Sequence, residues 1–333
     1  MSLKSLWTAF YQRLVNGDGQ GSLDHKIEAA ILDEIEKIVR ETDPTILPLN
    51  RFRKRILPSV RNTIEYLSGL IPQVPGPVDL DPGRWNKDPL LRAMFISREE
   101  LMDMLQSSKE LKRFFHRTNA SQAFAMLVAD QKEKIFFGTQ KDGEIFRRDV
   151  PQKAVFFENF KVFAPALELA ETHLQVQHLA LVTLFRQAFE KITDLESWKN
   201  ELEKQKALLE FKLRRSDNSE PVTELNPADA PDNQTQKTLQ VLSDINRKLK
   251  EIKAELDTPE HRLSHLCSVL KSPGQNLELK TVSFKLSRMG VRLESSSTEP
   301  ANEFNVAELA LGQDLKQAVV WVRAEPKYFL GSL

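Results

Sequence analysis

Two stretches of the sequence carry side chains whose types and spacing could hold a metal ion. His261 and His265 stand four residues apart, which places two imidazoles on one face of a helix, and Cys267 follows closely. A structural zinc site needs four ligands, and Cys267 falls on another part of the helix. No glutamate stands between the histidines to act as a base. His173 and His178 are five residues apart and face differently. Ordinary histidines and a core cysteine are the expectation. Residues 16–27 begin like a calcium loop, with Asn16, Asp18 and Gln20 at the first three ligand positions and Gly21 at the turn. The twelfth position is Ile27, where that chemistry requires a bidentate carboxylate, and Glu28 comes one residue late. The glycine spacing is wrong for a dinucleotide loop, and a helix precedes it. These residues therefore read as a flexible tether. No metal, cofactor or catalytic residue is expected, and one lone cysteine offers no Cys-His nucleophile pair.

Two further groups suit binding rather than catalysis. Arg51, Arg53, Lys54 and Arg55 form a basic cluster with Phe52 interleaved, of the kind that holds phosphates of nucleic acid or lipid. It is a short run in a chain with 47 basic and 47 acidic residues, so a solvated helix face or internal ion pairs are expected. Residues 3–15 place Leu3, Leu6, Trp7, Phe10, Tyr11 and Leu14 on one helical face, with Lys4 and Arg13 as the only charges. Such a helix suits a membrane surface or a protein groove. It lacks the lysine-rich polar face of interfacial helices, which favours protein, and Leu3, Trp7 and Phe10 are its expected contacts. Phe156, Phe157, Phe160 and Phe163 are expected to pack a core rather than line a ligand pocket.

The chain has 333 residues, of which 41% are hydrophobic and 28% charged. Its zero formal charge gives no global attraction to nucleic acid or anionic membrane, so no specific nucleic-acid partner is expected. Cys267 is the only cysteine, which excludes an intrachain disulfide and favours a reducing compartment. No signal-type or membrane-spanning apolar run occurs, and cytoplasm is the expected location.

The elements that must carry these residues read as α+β and predominantly helical. Residues 1–21 form the amphipathic helix and tether. Residues 22–131 form a helical region with a Pro-rich strap at 72–89. Its helices are expected from near Asp24, after the basic cluster with Pro58 as an interruption, from Ser97 with its capping partner Glu100, and over Ser121 to Asp130. Residues 132–165 read as a small antiparallel unit of three strands around the Asp142-Gly143 turn. Residues 258–333 read as a helix followed by strands at Leu277–Leu286, Gly290–Leu293, Phe304–Leu311 and Ala318–Ala324.

Between these regions, residues 166–257 are expected to form a long antiparallel, coiled-coil-like helical hairpin. Residues 166–214 lack Pro and Gly, and a leucine ladder recurs every seven residues at Leu167, Leu174, Leu181, Leu195, Leu202 and Leu209, with Ala188 in the gap. The companion positions are mixed: Glu171, His178, Phe185, Ile192, Lys199, Lys206 and Leu213. The first half is apolar on several faces and reads as a buried root; residues 192–214 read as a paired arm. Its partner is the stripe Leu239, Leu242, Ile245, Leu249, Ile252 and Leu256, joined through the acidic loop 216–232. The function expected from this architecture is that of a non-enzymatic interaction or scaffold protein. It would bind a protein partner or a second copy, with Leu195, Leu202 and Leu209 at the seam. Peripheral membrane association through residues 3–15 and the basic cluster is the second expectation, and an enzyme of another type the third.

Overall fold

The computed structural model describes residues 21–142, 145–217, 231–294, 297, 299–311 and 315–329. Helices and strands are both abundant, and the fold is α+β. The chain divides into two units assembled from non-adjacent segments. One comprises Met1–Ala30, Thr63–Leu181 and Ser272–Leu333, and the other Ile31–Asn62 and Val182–Lys271.

The first unit is organised by a sheet. Its strands are β1 (Val78–Asp79), β2 (Ala123–Asp142), β3 (Ile145–Ala166), β4 (Leu277–Leu286), β5 (Asn302–Leu311) and β6 (Leu315–Ala324). The order is β3-β2-β6-β5-β4, antiparallel throughout, with β1 added parallel to β6. Val319, Val320, Trp321 and Val322 of β6 are all buried, so this strand is covered on both faces. Helices α3 (Pro89–Met94), α4 (Arg98–Ser107) and α5 (Lys109–Thr118), with the residue after α3, supply Leu91, Phe95, Leu101, Leu105, Leu111 and Phe115 to the core beside the strands. The capping residues do what their types predict. Ser97 Oγ accepts from Glu100 N at 3.2 Å, and the Glu100 carboxylate accepts from Ile96 N at 2.6 Å. The Pro-rich strap docks on β6: Trp321 N donates to Pro75 O and Leu80 N to Arg323 O, both at 2.8 Å.

Several local expectations need correction. Residues 121–130 are not helical, because β2 begins at Ala123 and alternates Ala123, Ala125, Leu127 and Ala129 into the core. Alanine favours helix locally, but pairing to β3 and β6 decides the outcome. The expected three-stranded unit is two long strands of 20 and 22 residues, and β2 crosses the boundary placed at 131/132. Pro151 does not divide β3, since an edge strand tolerates a missing N–H. Gly290–Leu293 makes only isolated bridges, Ala154 to Val291 and Leu286 to Arg292.

The remaining long helices are α1 (Gly21–Thr42), α2 (Phe52–Leu70), α6 (Leu169–Asp217), α7 (Pro231–Leu256) and α8 (Pro259–Lys271). Pro58 does not interrupt α2, whose buried stripe Ile56, Val60, Ile64 and Leu67 continues past it. In the second unit Phe185, Ala188, Ile192 and Leu202 of α6 are buried. So are Leu242, Ile245, Leu249, Ile252 and Leu256 of α7. Lys199 Nζ lies 2.9 Å from Asp257, and Lys253 Nζ 3.4 Å from Glu203. The ladder does not begin at Leu167, which precedes α6 and is 52% exposed, nor does the α7 stripe include Leu239, at 53%.

Candidate functional surface

The long β2–β3 hairpin carries four exposed large apolar side chains, Ile135, Phe136, Phe137 and Phe156. β6 accompanies β2 only from Ala123 to Asp130. Beyond Gln131 the sole strand paired with β2, among the described residues, is β3, through to Asp142 opposite Ile145. About 12 residues of ribbon at roughly 3.4 Å each span about 40 Å. Its root is tied down by Val155 N, which donates to Gly290 O at 2.9 Å, and by Arg292 N, which donates to Lys153 O at 2.8 Å.

The register assigns each side chain to a face. Glu133, Ile135 and Phe137 share one face with Val155, Lys153 and Pro151; Lys132, Lys134 and Phe136 share the other with Phe156, Ala154 and Gln152. Ile135 is 67% exposed and Phe137 72%, while Phe136 and Phe156 are near 40%. Lys134 Nζ sits 5.8 Å from the centre of the Phe156 ring, and Lys132 pairs with Glu158. A two-stranded ribbon is marginal in water without further cover. Exposed apolar side chains stand on both faces of this ribbon.

No family model, curated protein or solved structure matches this chain.

The aromatic cluster divides between core and surface. Phe157 packs edge-on to Phe284 and Phe304, and Phe160 stacks on Phe95 at 4.3 Å. Phe163 is half-buried, whereas Phe156 turns to the solvent-facing side, contrary to expectation. Ile135 and Phe137 were overlooked by sequence reasoning. The signal was present: Ile135-Phe136-Phe137 in a strand must place apolar groups on both faces, and a lone ribbon can bury neither.

The basic cluster is the first turn of α2 and the residue before it. Phe52 is buried and so is not interleaved with the exposed Arg51, Arg53, Lys54 and Arg55. Arg53 Nε donates to Glu36 at 2.6 Å and Nη2 to Asp33 at 2.8 Å. These carboxylates, Glu36 foremost, raise the Arg53 guanidinium further above its usual value. They also offset the penalty of placing cations at a helix N-terminus.

Leu202 is buried, Leu195 exposed to an intermediate degree and Leu209 half-buried. Leu3, Trp7 and Phe10 lie outside the described residues, as do residues 16–20 of the calcium-like loop. Residues from Gly21 onward belong to α1. His261 is exposed and His265 half-buried, with its imidazole pushed down by burial. Cys267 Sγ lies 3.8 Å from Arg55 O, and burial pushes its thiol up, which disfavours the reactive thiolate. Among the described residues no three His, Cys, Asp or Glu side chains gather to hold a metal, and no helix is long and apolar enough to cross a membrane.

A cavity of about 460 Å3 in the second unit is lined by Asp43, Arg186, Glu190, Asp194, Glu196 and Arg262, among others. Arg262 Nη1 stands 3.1 Å from Asp43 and 3.4 Å from Glu196, and Nη2 donates to Thr45 Oγ1 at 3.2 Å. The two alcohols on its wall, Thr42 and Thr193, donate to carbonyls of their own helices, Ile38 O at 2.8 Å and Phe189 O at 3.1 Å. This arrangement knits the segment around Asp43 to α6 and α8. It brings no nucleophile beside a base.

Proposed function

We propose that the chain is a non-enzymatic interaction protein that meets a protein partner, or a second copy of itself, through apolar surface on its β ribbon. The observation that carries this reading is the exposure of Ile135 and Phe137, 67% and 72%, on one face of a ribbon that no further strand flanks beyond Gln131 among the described residues.

The same reading takes α6 and α7 as a coiled-coil-like hairpin that serves as a second arm. Its support is the 3-4-3-4 spacing of the buried Leu242, Ile245, Leu249, Ile252 and Leu256. The ion pairs Lys199–Asp257 and Glu203–Lys253 add to it, because α6 numbers rise between them while the partner numbers fall. Leu195, Leu202 and Leu209 then hold the arm together. Leu208 and Phe211, three residues apart and 56% and 62% exposed, face outward for a partner. A cytoplasmic location belongs to this reading too.

Site-specific photo-cross-linking in cells of the native host tests it. A photoreactive residue at Phe137 is expected to give a discrete product, with a partner or with a second copy, that the exposed Arg117 position does not give. Equal, diffuse labelling from both positions would overturn the proposal.

A further inference from the structure

A second concavity, in the first unit, has a different chemistry. It measures about 360 Å3, within the size range of small-molecule sites, and is lined by Asn86, Arg92, Arg288, Pro300, Ala301 and Asn302. Each polar group is placed by a separate element. Asn86 belongs to the turn that precedes α3, and Arg92 to the last turn of α3, which packs on β5. Arg288 comes from the connection after β4, and the buried Asn302 opens β5.

Among the described residues, the lining contains two guanidiniums and no carboxylate. Among the described residues neither Arg92, which is half-buried, nor Arg288, which is exposed, forms an ion pair, so both guanidiniums are free to meet an anion. Two like charges that face one concavity repel each other, and the repulsion is relieved by an anion between them. Guanidinium groups present paired N–H donors that match oxyanions, and the two asparagine amides add neutral donors.

The geometry points to a binding site for a phosphate group carried on a small molecule, with Arg92 and Arg288 as its charged ligands. The charge count selects phosphate over carboxylate. A phosphate monoester carries about −1.5 to −2 at neutral pH, the counterpart of two guanidiniums, whereas a carboxylate leaves one cation unmatched. The modest volume suits a compact phosphomonoester.

Calorimetric titration of the full chain tests the assignment, with inorganic phosphate, glycerol 3-phosphate and acetate compared at constant ionic strength. Saturable binding of phosphate or of its ester is expected, with acetate at least tenfold weaker. A tighter ester identifies the small molecule as the source of the anion, and equal affinities identify free phosphate. Arg92→Gln and Arg288→Gln should each weaken binding at least tenfold while circular dichroism and the melting temperature stay as in the wild type; Arg288→Lys should lose less. No saturable binding of either phosphate, acetate bound as tightly, or affinity unchanged in both folded Gln variants would each overturn the proposal. If one Gln variant fails to fold, the other and the Lys variant decide.

Discussion

The Asp79 carboxylate accepts a 2.6 Å hydrogen bond from Arg323 Nε, and the same two residues are register partners in the parallel pairing of β1 with β6. The strap 72–89 thus adds a side-chain pair to its two-residue backbone pairing with β6. Both side chains remain partly exposed, so the pair alone contributes little. Arg323→Ala should cost under about 1 kcal/mol. Gly76→Ala should cost far more, about 3 kcal/mol or above. Gly76 has φ +121°, and an added Cβ would lie 2.3 Å from Trp321 O, an atom fixed by the backbone. Chemical denaturation of the two variants checks the ranking.

The ribbon makes the opposite prediction. Replacement of Ile135 and Phe137 by lysine removes no packed contact of any size, because both are largely exposed. Stability should change by less than about 0.5 kcal/mol, while light scattering reads reduced self-association or aggregation. A large loss of stability would mean that these side chains are covered within the molecule.

In the second unit, burial separates two leucines of equal chemistry. Leu249 is 5% exposed and Leu208 56%. Leu249→Ala should cost roughly 2–4 kcal/mol and Leu208→Ala within about 0.5 kcal/mol. Equal costs in urea titrations would refute the assignment of Leu208 to an outer face.

Acid should weaken the fold through a half-buried imidazole. The His173 ring lies 4.5 Å from that of Trp321, its Nε2 has no hydrogen-bond partner among the described residues, and burial pushes it below its usual value. A depressed folded value means that the unfolded chain binds the proton more readily. The contribution is complete above about pH 6.5 and is lost as pH falls below it. His265 is shifted in the same direction, by burial first. The melting temperature should drop between about pH 7.5 and about pH 5.5, and the drop should shrink in His173→Gln.

Much of this architecture was legible in local pattern. The strand Leu277–Leu286 has the bounds its composition suggests, and the start of α4 follows from Ser97 and Glu100. What local pattern hid depends on distant chain. The alanines at 123, 125 and 129 become strand because Ala324 to Ala318 lie alongside. Ile135 and Phe137 are exposed because that pairing ends at Asp130 with Gln317. The phosphate-type cavity brings Arg92 to Arg288 across most of the chain, and no spacing rule reaches that far.

The position of β6 in the sheet has a consequence for the order of events during synthesis. β2 and β3 emerge from the ribosome first, yet the strand that joins them to β5 and β4 is the last of these strands to be made. About 150 residues separate the end of β3 from the start of β6, roughly 7–30 s of translation. For that interval the inner edge of β2 waits without its neighbour. An unpaired strand edge is a template for pairing with other chains, and the last-made strand is the one that closes it.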